Sequence, residues 1–438
     1  MGGPVNRQRA GDEDGTQGPA TLRVGMIGYG FMGKAHAQAW RNAGRFFELP
    51  LRPELTALCG RSAAALAPAA ETYGFASWEI DWRQLIERED IDVIDICTPG
   101  DTHAEIAVAA LAAGKHVLCE KPLANTVAEA RAMLAAAELA AARGQKSMVG
   151  FNYRRVPALA LARRLIAAGR LGRIYQVRAQ YLQDWIIDPE FPLVWRLQAD
   201  KAGSGALGDL GAHSIDLAQY LTGQRITGVS ALLETLIPER PLPAAYSGLA
   251  ATADTGAAER GRVTVDDAAL FTARFEGGTI GVFEATRFAT GHKNAMRIEV
   301  SGSLGSLAFD CENLNELSFY DAAEPAETAG FRRILVTEPT HPYLDAWWPP
   351  GHLIGYEHSF THQIKDLVEA VAAGTDPEPS FADGLRTQLV LAAVAESAAA
   401  QSIWTRVPDV AEPESSEPRP AISQPATPQS PAERRPAS

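Results

Sequence analysis

The order of apolar runs and turn signals in this 438-residue chain predicts an α/β protein of two domains. The first should hold a parallel sheet flanked by helices; the second should be an α+β unit on a large, mostly antiparallel sheet. Three observations carry that reading. Residues 22–150 alternate short apolar runs with helical patterns, the repetition that builds a parallel sheet. The first run, residues 24–27, leads directly into Gly28, Gly30 and Gly33 and then a helical pattern. After Phe151 the repetition stops, and strand patterns separated by short turns take over.

The G-x-G-x-x-G spacing between a buried strand and a helix is the fingerprint of a Rossmann dinucleotide-binding domain. Gly28 permits the tight turn, Gly30 lets backbone reach a pyrophosphate, and Gly33 lets the helix pack close to the strand. The helix start, with Phe31 and Met32 between the glycines, then offers free N–H groups to the phosphates. Further strands are expected over 55–59, 92–97, 115–119 and 146–150. Helices are expected over 62–73 with Ser62 as cap, and over 81–88, 102–113 and 126–143. In the second domain, helices are predicted over 157–168, 205–221, 355–373 and 382–402. Strands are predicted over 174–182, 226–236, 268–275, 279–288, 296–301, 306–310 and 316–320, with Gly277-Gly278 as a hairpin turn. Residues 1–20 and 409–438 lack periodicity and are expected to be disordered tails, which leaves domains at 21–150 and 151–408. The Ala-, Gly- and Thr-rich interval 243–262 is expected to be a mobile loop.

Charge and composition exclude several classes. A formal net charge of −13 without a basic stripe argues against a nucleic-acid partner. No run reaches the ~18 apolar residues of a membrane helix, and the N-terminus lacks the apolar core of a secretory signal. Cys59, Cys97, Cys119 and Cys311 are far apart in sequence and read as reduced thiols of a cytoplasmic protein.

Chemistry concentrates in three further stretches. Glu120-Lys121-Pro122 follows a predicted parallel strand, so Lys121 stands at the ligand edge, where an ammonium can steady oxygen charge. Asp209 and His213 are four apart in a predicted helix, a spacing that puts carboxylate and imidazole on one face. A carboxylate so placed would steer the imidazole tautomer and raise its basicity, giving a general base near neutral pH; Asp216 could orient it too, or simply cap. Tyr181, Gln183 and Trp185, with Trp195-Arg196 further on, are of the type that lines sugar sites. His358 and His362, one helical turn apart, offer a rival metal reading, but no HExxH pattern supplies a base, and no metal is expected.

Taken in this order, the glycine fingerprint, Glu120-Lys121-Pro122 and Asp209-x-x-x-His213 resemble the glucose–fructose oxidoreductase / inositol dehydrogenase (Gfo/Idh/MocA) family over residues 22–408. The stretches 151–155, 181–185, 202–209, 237–242 and 380–384 look most like its levoglucosan dehydrogenase-like branch, whose members oxidise the C3 hydroxyl of a pyranose. The resemblance implies an NAD(P)-dependent sugar dehydrogenase with three catalytic residues. His213 would take the hydroxyl proton, Asp209 would orient it and bind a neighbouring hydroxyl, and Lys121 would bond the reacting oxygen. It also implies that Thr98, Pro99, His103, Glu120, Trp195 and Arg196 approach the cofactor, that Tyr153, Gln183 and Trp185 touch substrate, and that the Lys121-Pro122 bond is cis. A homodimer or homotetramer through the outer face of the second sheet is implied as well. Where NAD-specific members carry an acid after the second strand, this chain has Gly60-Arg61-Ser62. Arg61 is therefore expected beside the adenosine ribose, and the cofactor is NAD or NADP. Two alternatives share these residues: an inositol 2-dehydrogenase-type polyol oxidation, and a glycoside hydrolase that oxidises C3 transiently. A transcriptional sensor is the third rival, disfavoured because Lys121, Asp209 and His213 are all present.

Overall fold

The computed structural model describes residues 19–245, 252–253 and 259–412. Most of both expected tails and much of the 243–262 interval lie outside the described residues. Within that interval, 243–245 pair with 252–253 as short antiparallel strands.

In the first domain six parallel strands run in the order β3-β2-β1-β4-β5-β6. They are β1 (Thr21–Ile27), β2 (Arg52–Cys59), β3 (Ser77–Glu79), β4 (Val93–Ile96), β5 (His116–Cys119) and β6 (Ser147–Val149). The connecting helices are α1 (Phe31–Phe46), α2 (Ala63–Tyr73), α3 (Trp82–Glu87), α4 (His103–Ala112) and α5 (Val127–Ala141). Val24, Met26, Val93 and Ile94 are fully buried, as expected of strands covered on both faces. Thr126 and Glu129 close a capping box that starts α5, and Asp81 caps α3 through the Arg83 N–H. Ser62 occupies the N-cap position of α2 without making the expected side-chain bond. β3 was not anticipated, because three residues are too few to show a period.

The second domain is a nine-stranded sheet in which one adjacent pair is parallel and the rest antiparallel. Helix α6 (Pro157–Ala167) precedes β7 (Ile174–Leu182), and α7 (Ala212–Thr222) precedes β8 (Ile226–Glu234). The strands that follow are β9 (Ala268–Phe275), β10 (Ile280–Thr286), β11 (Ala295–Gly302), β12 (Gly305–Asp310), β13 (Glu316–Asp321), β14 (Arg332–Leu335) and β15 (Thr405–Arg406). Their order is β14-β13-β12-β11-β7-β10-β9-β8-β15. Gly278, at φ +82°, turns the β9–β10 hairpin. Helices α8 (Glu357–Ala373) and α9 (Phe381–Ala399) return to the first domain. Phe360, Ile364 and Leu367 of α8 share a core with Trp40 and Ala43 of α1, so the two domains are bolted together behind the sheet edge. Residues 409–412, beyond the expected boundary at 408, still pair with the body through Arg225–Asp409 and Arg131–Val410.

One predicted helix differs in a way that matters. Residues Leu207–Gly211 form a π turn, which runs into α7. A π turn closes i→i+5 bonds and is wider than an α turn, so this segment departs from the regular α-helix expected there. Asp266 holds its entrance, accepting the N–H groups of Gly205 and Leu207, each at 2.7 Å. Gly205 is obligatory there, because a Cβ would lie 1.7 Å from the Asp266 carbonyl oxygen.

Candidate active site

The glycine turn is built as its spacing predicts. Gly28 has φ +102° and donates to the Cys59 carbonyl at 2.9 Å; a Cβ there would meet the Cys97 carbonyl oxygen at 2.6 Å. A Cβ on Gly33 would lie 2.2 Å from the Gly28 oxygen, whereas Gly30 faces open space. Helix α1 starts at Phe31 with no side-chain cap and no acid in its first turn, so its leading N–H groups remain for a phosphate. This turn sits at β1, where the strand order reverses toward β4. Thr98 and Pro99 leave β4 beside it, and the His103 ring bridges the Thr98 carbonyl (2.9 Å) and the Pro122 carbonyl (3.0 Å). Arg61 is exposed just past β2. The acid on neighbouring β3, Glu79, is engaged by Arg88 at 3.2 Å. These residues fit a nicotinamide dinucleotide laid across the strand ends.

Lys121 follows β5, with its bond to Pro122 cis. Its Nζ donates to Asp209 Oδ1 at 3.0 Å and to the Asp209 carbonyl at 2.9 Å. Arg287, 1% exposed and at the end of β10, donates to Asp209 Oδ2 at 2.9 Å. Burial opposes charge on Asp209, but Lys121, Arg287 and Arg196 together hold its carboxyl far below the ordinary range. His213 lies in an aromatic box, with ring centroids of Tyr153, Tyr181 and Phe151 at 4.8, 5.9 and 6.1 Å. Its Nδ1 is buried without a protein partner. Burial and then the Lys121 charge push its pKa well below 6.5, with Asp209 only partly opposing.

Two expectations are thereby corrected. Asp209 makes no hydrogen bond to His213: its carboxylate is spent on two cations, Lys121 and Arg287. His213 is accordingly less basic than a free imidazole, not more. Asp216 does not serve His213 either, because Arg154 takes both of its oxygens.

The model named "Oxidoreductase family, NAD-binding Rossmann fold" matches residues 22–151, and the GFO/IDH/MocA C-terminal domain model matches residues 159–308. The chain belongs to the GFO/IDH/MocA oxidoreductase family. It is 44% identical to levoglucosan dehydrogenase of Pseudarthrobacter phenanthrenivorans over 392 residues, covering 89% of this chain and 99% of that one. Inositol 2-dehydrogenase of Rhizobium meliloti is 29% identical, over 86% and 97%. Among solved structures, an oxidoreductase domain protein from Kribbella flavida shares 64% identity with a TM-score of 0.85, over 89% and 100% of the two chains. Levoglucosan dehydrogenase in complex with NADH and levoglucosan shares 43% identity with a TM-score of 0.82, over the same shares.

Within this family framework the remaining anticipated residues divide. Tyr153 Oη lies 2.8 Å from Tyr181 Oη, and Tyr181 and Gln183 both donate to Asn294 Oδ1 at 2.9 Å. Trp185 lies under the Arg287 guanidinium at 5.3 Å. Trp195-Arg196 forms a short 3₁₀ turn whose Arg196 carbonyl accepts from Arg287 at 3.3 Å. Glu120, also expected among the cofactor contacts, is buried. One oxygen meets His36 Nε2 at 2.9 Å and the other accepts the Lys121 N–H at 3.2 Å. His36, which also meets Asp95 at 3.0 Å, was not anticipated; nor were Arg287 and Asn294. The rival metal pair is committed elsewhere. His362 accepts from Trp347 Nε1 at 2.7 Å and meets the Arg155 carbonyl at 2.9 Å, while His358 Nδ1 accepts the Gly355 N–H.

Proposed function

We propose that the protein oxidises a secondary sugar hydroxyl, that at C3 of a pyranose or anhydrosugar, with NAD as acceptor. The observation that carries this is the Lys121–Asp209 pair beside a neutral, buried His213, all at the strand edge that bears the glycine turn. Bound NAD supplies the hydride acceptor. The residues do the rest. Lys121 Nζ, already aimed at Asp209, bonds the reacting oxygen and holds the negative charge that grows there. His213, kept neutral by its box, has a lone pair free for the hydroxyl proton as the C–H electron pair leaves as hydride. The alcohol thus becomes a ketone, with one proton on His213. Asp209, ionised by three cations, accepts a bond from an adjacent hydroxyl. Burial of Tyr153 (1% exposed) and Tyr181 (5% exposed) excludes water from the imidazole. The 44% identity to levoglucosan dehydrogenase supports this reading.

The test is the rate of nicotinamide reduction with levoglucosan, glucose, methyl glucosides and myo-inositol, each with NAD and with NADP. Fastest turnover of an anhydrosugar or glucoside supports the proposal; fastest turnover of myo-inositol replaces it with polyol oxidation.

We further infer a homodimer or homotetramer through the outer sheet face. Leu232 (63% exposed) and Leu270 lie opposite each other in register, and Ile280 and Val282 extend the patch across β10. Among the described residues no helix is long and apolar enough to cross a membrane. The four unpaired cysteines suit a reducing cytoplasm, which we propose as the location.

A further inference from the structure

We propose that the reaction centre continues into a second subsite for a neutral sugar ring, so that glycosidically linked two-ring sugars are substrates alongside single rings. This rests on the sugar-oxidising function proposed above. A cleft of about 570 Å³, inside the ~300–1,000 Å³ range of small-ligand pockets, is lined by residues 293–294, 311–316 and 353–356. It abuts the reaction centre at three points. Asn294 holds Tyr181 and Gln183, Cys311 Sγ is 3.9 Å from Tyr153 Oη, and the Tyr356 ring is 6.3 Å from that of Tyr153.

The chemistry of the lining selects the ligand. Because Asn294 spends Oδ1 on Tyr181 and Gln183, the planar amide must direct its NH₂ away from them, and that NH₂ has no protein partner among the described residues. The Asn313 amide also lines the cleft and, like the Tyr356 hydroxyl, has no partner among the described residues. Donors and acceptors left open beside the apolar Leu353 and the Tyr356 ring match a polyhydroxylated ring with an apolar face. Among the described lining residues the one cation, Lys293, is tied to Asp184 at 2.7 Å, and the two acids, Glu312 and Glu316, are paired with Arg297 and Arg333. Nothing there favours a phosphate, and the group accommodated is a neutral sugar.

The experiment compares kcat/KM for levoglucosan and methyl glucoside with that for cellobiose and maltose, in wild type, Asn313→Ala and Asn313→Trp. Asn313 is exposed, ends a short 3₁₀ turn and takes no part in the reaction centre, so the folded protein is expected in each case. The expected result is turnover of a disaccharide by wild type. Asn313→Trp should lose at least ~10-fold of that activity, the scale of one pocket contact, and keep single-ring activity; Asn313→Ala should lose less. Turnover of single rings alone, an equal loss for both classes, or no loss for either overturns the subsite and leaves the sugar-oxidising function standing. Absence of turnover with every sugar overturns both.

Discussion

Replacing Arg287 with Met removes a charge from the reaction centre while keeping much of the side-chain volume. Arg287 is 1% exposed, and its partner Asp209 keeps 31% of its side-chain surface open. Stripping one partner from a fully buried pair costs about 3–5 kcal/mol. Here Lys121 remains on the other oxygen and solvent reaches Asp209, so about 2 kcal/mol of transition-state stabilisation is expected to go, a ~30-fold fall in kcat/KM. The pH dependence is the more specific sign. The folded-state pKa of Asp209 lies below its unfolded value, so its contribution is present above the unfolded pKa and lost as pH falls through the folded one. Loss of Arg287 raises the folded value toward the ordinary ~3.9 and moves the acid limbs of both stability and rate to higher pH. Initial rates and thermal melts from about pH 2 to 8 read both effects. A variant whose rate stays within about twofold of wild type and whose acid limbs do not move would refute the clamp on Asp209.

Other substitutions probe the remaining parts. His213→Ala should lose most turnover yet still quench or enhance NADH fluorescence on binding; unchanged turnover would remove His213 from the mechanism. Because His213 is neutral well below pH 6.5, its protonation should produce no fall in wild-type kcat/KM around 6.5; a limb there that vanishes in His213→Ala would contradict the buried, weakly basic imidazole. Arg61→Ala should weaken any NADP affinity and spare that for NAD, and equal NADP affinity in both proteins would place Arg61 away from the ribose. Leu270→Asp should shift light-scattering mass toward the monomer, since Leu270 stands 48% exposed in the centre of the sheet patch; an unchanged mass would move the interface elsewhere.

How much of this was readable beforehand depends on how far each contact reaches along the chain. The glycine turn was legible because strand, glycines and helix are contiguous, and a missing Cβ at Gly28 and Gly33 is a local steric demand. Lys121 was legible because the end of a parallel strand is the ligand edge. Arg287 was not: it meets Asp209 across 78 residues, through a sheet whose pairing no local pattern states. A charged residue closing an apolar strand was its one signal. Asn294, which meets Tyr181 across 113 residues, had none. The Asp209–His213 relation was misread for a related reason. Four-residue spacing can place two side chains on one face but does not say which partners they take, and the two cations that occupy Asp209, Lys121 and Arg287, arrive from 88 and 78 residues away.

The central claim is hydride transfer from C3 of a sugar, and isotopic labelling tests it most directly. Levoglucosan carrying deuterium at C3 should deliver that deuterium to C4 of the reduced nicotinamide and slow turnover under conditions where chemistry limits the rate. Reduced nicotinamide free of deuterium, with the label retained in the sugar product, would contradict the account.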